Sequence, residues 1–491
     1  MNGTSPHERI LFGLKVRQCR TGLGLSFGEL SEMSGLSVSY LNEIEKGKKY
    51  PKPQKLKALA KALKIPAKEL VSQEMEGNLA PVGELLRSNF LQELPMEFFG
   101  IEPSKVVQLI AMAPKQVGAF ISTLVDLARN YSLREENFYF GALRSYLEMH
   151  HNYFEEIEDS VDSFRREFGS LPLDTPELAD FLGTLLRDQF GYRIVDDGLS
   201  AYPELQELRA VYLPETRRLL LNGGLSAVQR AFQFGKELGF QYMGLVQRAH
   251  TSSLLKVLSF DEVLNHFKAS YFSAALLIDR GSFVKDLQQF MGQSSWREEI
   301  IRGWLDKYSA SPEMIVQRMS NLLTEHFGIR KFFVWRFVRS GKGVFRLDKE
   351  LNLVKEHLPS RNTSLEHFCG RWPSVTLLQS VNGEQRTLAL AQRALVYDTG
   401  DTYLCLTLAR PAAPAADHTV SITLGLLIDE TLEKKVGFLR DPAISERVVN
   451  QTCERCTILD CKERMAEPSI FISKEKSKRI NEVLGRLEIP D

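Results

Sequence analysis

Through the first 72 residues, apolar positions recur every three or four places and are interrupted by glycine, serine and proline, a pattern of short amphipathic helices. Leu11, Leu14, Val16 and Cys19 give the first predicted helix its apolar side, and the Gly22/Gly24 pair ends it. Ser26 with Glu29 three residues on is a capping box that opens a second helix through Met33, after which Gly35 permits a tight turn. Ser37 caps a third, in which Leu41 and Ile44 face inward while Ser39, Tyr40, Asn42 and Glu43 face outward. Two more follow, making five. The helical period continues over residues 80–170 in runs such as LVDLARNY and FGALRSYLEMHHNYFEEIEDSVDSFRREFG. From residue 330 it gives way to alternation: KFFVWRFVRSGKGVFRLDKELNLV and TLALAQRALVYDTGDTYLCLTLAR read as hairpins turning at SGKG and DTGD. TVSITLGLLIDETLEKKVGFL reads as a strand running into a helix, and ARPAAPAADH as an exposed loop.

The fold class expected is multidomain: an all-α helix-turn-helix domain over 1–74, a mainly α middle, and an α+β sensor domain over 311–491 with a cysteine cluster at its end. Within the middle, 80–170 is expected to be a helical linker that supports dimerisation and 171–310 a separate domain. The sheet at the end has the general character of a GAF or PAS sensor, by analogy of fold.

Composition adds little, and its distribution adds more. Formal net charge is zero, yet residues 1–72 carry 13 Lys and Arg against 6 Asp and Glu, which suits a polyanionic partner for that module alone. The start lacks a basic segment followed by an apolar one, and no run of about 18 uncharged apolar residues occurs, so no membrane span is expected. A cytosolic setting follows, in which clustered thiols bind metal more often than they form disulfides. TGLGLSFG lacks the GxGxxG spacing and a preceding strand, and is read as a turn.

Two short helices across a glycine turn, the second opening on small polar residues, form a major-groove reader. With YLNEIEKGKKYPKPQKLKALAKAL behind them, residues 7–70 resemble the Cro and lambda-repressor type of helix-turn-helix. That likeness implies that Ser37, Ser39, Tyr40 and Asn42 approach base edges of double-stranded DNA while Lys46, Lys48, Lys49 and Lys52 meet phosphates. Such modules bind as dimers, so the remainder of the chain is expected to supply a homodimer interface.

RRLLLNGGLSAVQRAFQFGKELGFQYMG followed by VLNHFKASYFSAALLID resembles a zinc-metallopeptidase-like domain, in which HExxH supplies two imidazoles and a carboxylate base. Here the corresponding residues are Lys236, Glu237 and Phe240. A lysine and a phenylalanine do not ligate zinc, so the scaffold is expected to persist without catalysis; His250 and His266 are not at ligand spacing. His150 and His151, adjacent on a predicted helix, are taken as structural, because neighbours diverge by 100°.

Three of the six cysteines fall in CERCTILDC, where Cys453, Cys456 and Cys461 present soft ligands on a turn-rich segment. Polar neighbours Glu454, Arg455, Asp460 and Lys462 argue against a buried-thiol role. Zinc or an iron-sulfur cluster wants a fourth ligand, and Cys369 is the thiol that remains once Cys405, within a strand, and Cys19, within the DNA-binding core, are set aside. TCERCTILDCKERMAEP, AFQFGKEL and NHFKASYFSAALL together resemble the short-chain fatty acyl transcriptional regulators of bacteria along nearly the whole chain. The resemblance implies control of short-chain fatty acid, propionate or glyoxylate-cycle genes, an acyl-CoA effector in the C-terminal part and, in some members, a four-iron cluster on those cysteines. The family's usual CPLW segment is not evident here. Arg330, Lys331 and Arg336 are candidates to meet the effector's phosphates. The rival readings are a phage-type or toxin-antitoxin repressor without a small-molecule input and an active metallopeptidase.

Overall fold

A computed structural model describes residues 6–72, 135–172, 174–251, 257–340, 345–354, 366–381, 387–412 and 418–487. The expected helical segment 80–134, including LVDLARNY, lies outside them, as do the centre of the SGKG turn and most of the Ala/Pro loop. The chain divides into two compact units, Met1–Tyr146 with Leu258–Phe260, and Leu147–Val257 with Asp261–Asp491. No helix among the described residues is long and apolar enough to cross a membrane.

In the first unit, α1 (Pro6–Gly22), α2 (Phe27–Ser34), α3 (Val38–Glu45), α4 (Pro53–Ala62) and α5 (Ala67–Val71) are the five short helices the periodicity predicts. Both halves of the capping box form: Glu29 N–H donates to Ser26 Oγ at 3.2 Å, and Ser26 N–H to the Glu29 carboxylate at 2.7 Å. Gly35, at φ 68°, takes the left-handed cap between α2 and α3 that a side chain would strain. Leu30, Leu41, Ile44 and Leu59 are fully buried where these helices meet. α1 crosses α3 so closely that a Cβ on Gly13 would lie 2.3 Å from the Ile44 carbonyl oxygen, so only glycine fits.

Helix α6 (Glu135–Met149) ends one residue before His150. The histidine pair therefore lies in a turn and not on a helix: His151 and Asn152 take φ of 51° and 57°, and Asn152 N–H closes the turn on Leu147 O at 2.8 Å. Both rings are exposed, so neither fills a core.

The second unit begins with α7 (Glu155–Phe168) and α8 (Thr175–Phe190), then a three-stranded sheet of order β1-β3-β2 from Arg193–Val195, Ala210–Leu213 and Arg218–Leu221. Helices α9 (Ala227–Tyr242), α10 (Phe260–Leu277), α11 (Arg280–Met291), α12 (Glu298–Lys307) and α13 (Pro312–Phe327) follow. α7, α10 and α13 are joined by a buried group: Arg318 brackets the Glu158 carboxylate with both terminal nitrogens, donates Nε–H to Ile278 O at 3.0 Å, and Tyr271 OH donates to Glu158 at 2.8 Å.

The C-terminal sheet has six strands in the order β5-β4-β8-β7-β6-β9. β4 (Phe332–Arg339) and β5 (Phe345–Asn352) form the first expected hairpin, β6 (Leu388–Val396) and β7 (Thr402–Pro411) the second, and β8 (Thr419–Leu427) runs into the short helix at Glu430–Lys435. The alternation sends Phe333, Trp335 and Phe337 to one face, under a helix at Pro373–Ser380. There Trp335 meets Trp372 edge-on at 4.9 Å and stacks on Phe333 at 3.9 Å. Phe333 lies so flat on β8 that a Cβ at its cross-strand partner Gly425 would stand 2.1 Å from the ring. A parallel strand, β9 (Ser445–Val449), pairs with β6 and delivers the chain to the cysteine segment.

Candidate nucleic-acid interface and cysteine cluster

The surface of α3 is built from its cap outward. Ser37 Oγ accepts Tyr40 N–H at 3.3 Å, which fixes the helix start while leaving the hydroxyl hydrogen free to donate. Ser37 and Ser39 are exposed, and Tyr40 and Asn42 half-buried, on the side opposite the buried Leu41 and Ile44. Gly47, at φ 69°, turns the chain after α3, so that Lys48, Lys49 and Lys52 stand exposed beside it and Lys46 half-buried. All eight expected DNA-contacting residues thus belong to α3 or to the loop that leaves it.

Three details were not foreseen. Lys55 of α4 lies over the Tyr40 ring at 4.3 Å, which holds the phenol from behind. Glu43, expected to face outward, pairs there with Lys49 at 2.7 Å. Val38 is 46% exposed on the same surface and gives it an apolar contact; its place, first after the cap, was the available signal. Behind this face, Arg20 of α1 holds Glu45 of α3 through two nitrogens at 2.6 and 3.1 Å and lies 4.2 Å over Phe27. The reading helix is thereby locked to the scaffold.

In the peptidase-like helix pair, α9 presents Lys236, Glu237 and Phe240, all buried. Lys236 Nζ donates to His266 Nδ1 at 2.9 Å, and the other ring nitrogen faces Ala249 O at 3.2 Å, which fits a neutral imidazole protonated on Nε2. Burial, then the ammonium beside it, hold His266 down to about 2, and burial lowers Lys236 to about 7. Glu237 is clamped by two Arg248 nitrogens at 2.7 Å each and accepts Tyr192 OH at 3.0 Å. Arg248 in turn lies 3.8 Å over Phe240. The one catalytic-type carboxylate is thus consumed by an internal ion pair. His250 is exposed and turned to the Tyr212 carbonyl.

The cysteine segment follows β9. Phe368 bridges to Thr452, Cys453 N–H donates to His367 O at 2.8 Å, and Cys369 N–H to Gln451 O at 3.3 Å. This pairing sets Cys369 near enough to Cys453 and Cys456 for their charges to act on one another. All three are buried, and Cys461 is half-buried in the turn that Arg464 N–H closes on its carbonyl at 3.3 Å. Sulfur acceptors are served by backbone: Met465 N–H points at Cys453 Sγ at 3.3 Å, and the N–H groups of Asn450 and Arg371 at Cys369. Burial nonetheless raises the Cys369 thiol.

The polar neighbours have their own task. Glu454 takes the N–H and Nδ1 of His367 at 2.9 and 2.7 Å, and Arg455 grips Glu366 at 2.5 Å, tying the two segments. The polarity of Glu454 and Arg455 is therefore explained by these ties and no longer speaks for a metal. Among the described residues no group of three or more His, Cys, Asp or Glu stands in place to hold one ion. The donor set itself fits a thiophilic centre, since buried sulfurs with N–H donors aimed at them suit thiolates. Cys405 and Cys19 lie elsewhere, the first fully buried in β7 and the second against the core of the first unit.

Of the basic residues assigned to an effector, Arg330 and Lys331 are exposed just before β4, and Arg336 is engaged with Asp348 and, at 3.7 Å, with Glu313.

A helix-turn-helix family model matches residues 16–70. Two curated relatives, both the HTH-type transcriptional regulator RamB of Mycobacterium tuberculosis, in strains CDC 1551 / Oshkosh and H37Rv, are each 25% identical over 335 residues, 63% of this chain. The chain spans 65% of the length of these relatives. A solved structure described as a Mycobacterium tuberculosis transcriptional regulator aligns with a TM-score of 0.47 at 19% identity, over 66% of this chain and 92% of that one.

Proposed function

We propose that this chain is a homodimeric transcriptional regulator that binds double-stranded DNA through α3 and answers to a small acidic metabolite, of which a short-chain acyl-CoA is the reading favoured. The observation that carries it is the outer face of α3, where exposed small polar side chains at a capped helix start are followed by the lysines of the next loop, on a helix locked from behind by the Arg20–Glu45 pair. The relatives' description as HTH-type transcriptional regulators supports the same reading. A single module reads one half-site, and pairing two copies places their reading helices about 34 Å apart on one side of the duplex. A metallopeptidase reading is disfavoured because Lys236 and Phe240 stand at the ligand positions and Arg248 neutralises Glu237.

DNA binding is tested by its salt dependence. Each lost phosphate contact reduces the slope of log K against log salt by about 0.9, so Lys48→Ala with Lys52→Ala should flatten it by about 2 and weaken all sequences alike. Asn42→Ala should instead relax preference at one base pair by about 1–3 kcal/mol. Salt-independent binding, or none to any duplex, would remove the proposal.

Cys453, Cys456, Cys461 and Cys369 are the residues we propose to hold an iron-sulfur cluster of the four-iron type or, alternatively, zinc. Such a centre, once bound, supplies a redox or structural link between the 366–369 and 451–465 segments. Protein purified without oxygen is expected to contain about four irons with sulfide, or about one zinc, per chain. Cys453→Ser should lose it and Cys19→Ser keep it. Equal metal content in the two variants would show that the thiols do not hold it.

A further inference from the structure

Arg464 follows Cys461 by three residues and reaches back across the cysteine segment. Its guanidinium donates through Nη1 to Cys453 O at 2.8 Å and through Nη2 to Ile458 O, while its backbone N–H meets Cys461 O at 3.3 Å. These carbonyls belong to the first cysteine, to the stretch between the second and the third, and to the third itself. A guanidinium presents its donors in a rigid planar fork, so two carbonyls held by one fork are fixed relative to each other.

Two backbone bonds carry this order to the sulfurs. Cys456 N–H closes on Cys453 O at 3.3 Å, the same carbonyl that Arg464 takes. Met465, the residue after Arg464, points its N–H at Cys453 Sγ at 3.3 Å. The other side chains of this region act at its edges: Glu454 and Arg455 fasten it to His367 and Glu366, and Arg447 pairs with Glu463. Of these side chains, only Arg464 bonds the backbone of a cysteine that belongs to the cluster.

We propose that Arg464 is a positioning residue for the thiol centre. It sets the backbone that carries Cys453, Cys456 and Cys461, so that a metal ion does not have to order that backbone as it binds. The proposal rests on the reading of these cysteines as metal-holding, and it assigns the residue that shapes the site, not a further ligand.

The test is a cobalt(II) titration of the full chain, reduced and freed of metal, followed by thiolate-to-cobalt absorption and by competition with a chelator. Wild-type protein should bind about one cobalt ion, with the strong band of a site built from several thiolates. Arg464→Ala should bind it about 10–100-fold more weakly, and with a weaker band per cobalt because fewer sulfurs reach the ion. Arg464→Lys keeps a donor for one of these carbonyls and should fall between the two; it provides the same comparison if Arg464→Ala does not fold. Arg447→Gln, which breaks the pair with Glu463 and leaves the cysteine carbonyls alone, should match wild type. An equal loss in Arg447→Gln and Arg464→Ala would assign the effect to general loosening and overturn the proposal. Wild-type affinity and band in Arg464→Ala overturn it as well, and leave the metal reading standing. No thiolate band in wild type removes both.

Discussion

Glu158→Ala is expected to cost the second unit about 3–5 kcal/mol, because it strands Arg318 as an uncompensated charge in an interior where its side chain has no accessible surface. The Glu158 side chain is 2% exposed, so water cannot take over the lost role. The same change leaves Tyr271 OH without its acceptor and unties α7 from α10 and α13. Glu158→Ala with Arg318→Met should recover more than half of the loss, since the penalty belongs to the orphaned ion and not to the missing attraction. Urea unfolding of the wild type and the two variants measures this. A loss below about 1 kcal/mol in the single variant would mean that the group is solvated in practice.

Lys236→Met should act in the opposite direction and stabilise. Burial lowers this amine from its ordinary 10.5 to about 7. Between those values the unfolded chain binds more protons than the folded one, so the lysine's contribution rises with pH; below about 7 its penalty is present in full. The variant's advantage, on the order of a few kcal/mol, is therefore largest at neutral and acid pH and fades toward 10.5. His266, held to about 2 beside it, adds an acid sensitivity: the unfolded imidazole takes a proton below about 6.5 and the folded one refuses it, so stability falls from there downward. Melting at pH 6, 8 and 10 checks the sign. An advantage that does not change with pH would show that the amine is not desolvated as described.

Local signals carried the five helices α1–α5. The capping box, the left-handed Gly35 and the inward Leu41 and Ile44 are decided within a few residues of themselves, and each lies where the pattern places it. The hairpins were legible for the same reason. What escaped was non-local. Nothing near Arg20 announces Glu45, and nothing near Lys55 announces Tyr40, since those pairs are made by helices crossing. The parallel partnership of β6 and β9, and the helix over Trp335, depend on where distant segments return. His150 and His151 were assigned to a helix because the period continued through them, while the backbone left it at Met149.

Cys369 was chosen by elimination, and the fold places it beside Cys453 and Cys456 through a bridge that no sequence pattern displays. Arg336 was named for an effector from its charge alone, and it proves to be occupied by Asp348 and Glu313.

Where α9 and α10 meet, the positive charge is the tip of a side chain tethered to its own backbone. A divalent ion in that position would exchange with its surroundings and could be drawn off by any strong chelator. Dialysis, metal starvation and competition from other ions leave a tethered charge untouched. The contact between these two helices is thus independent of metal supply.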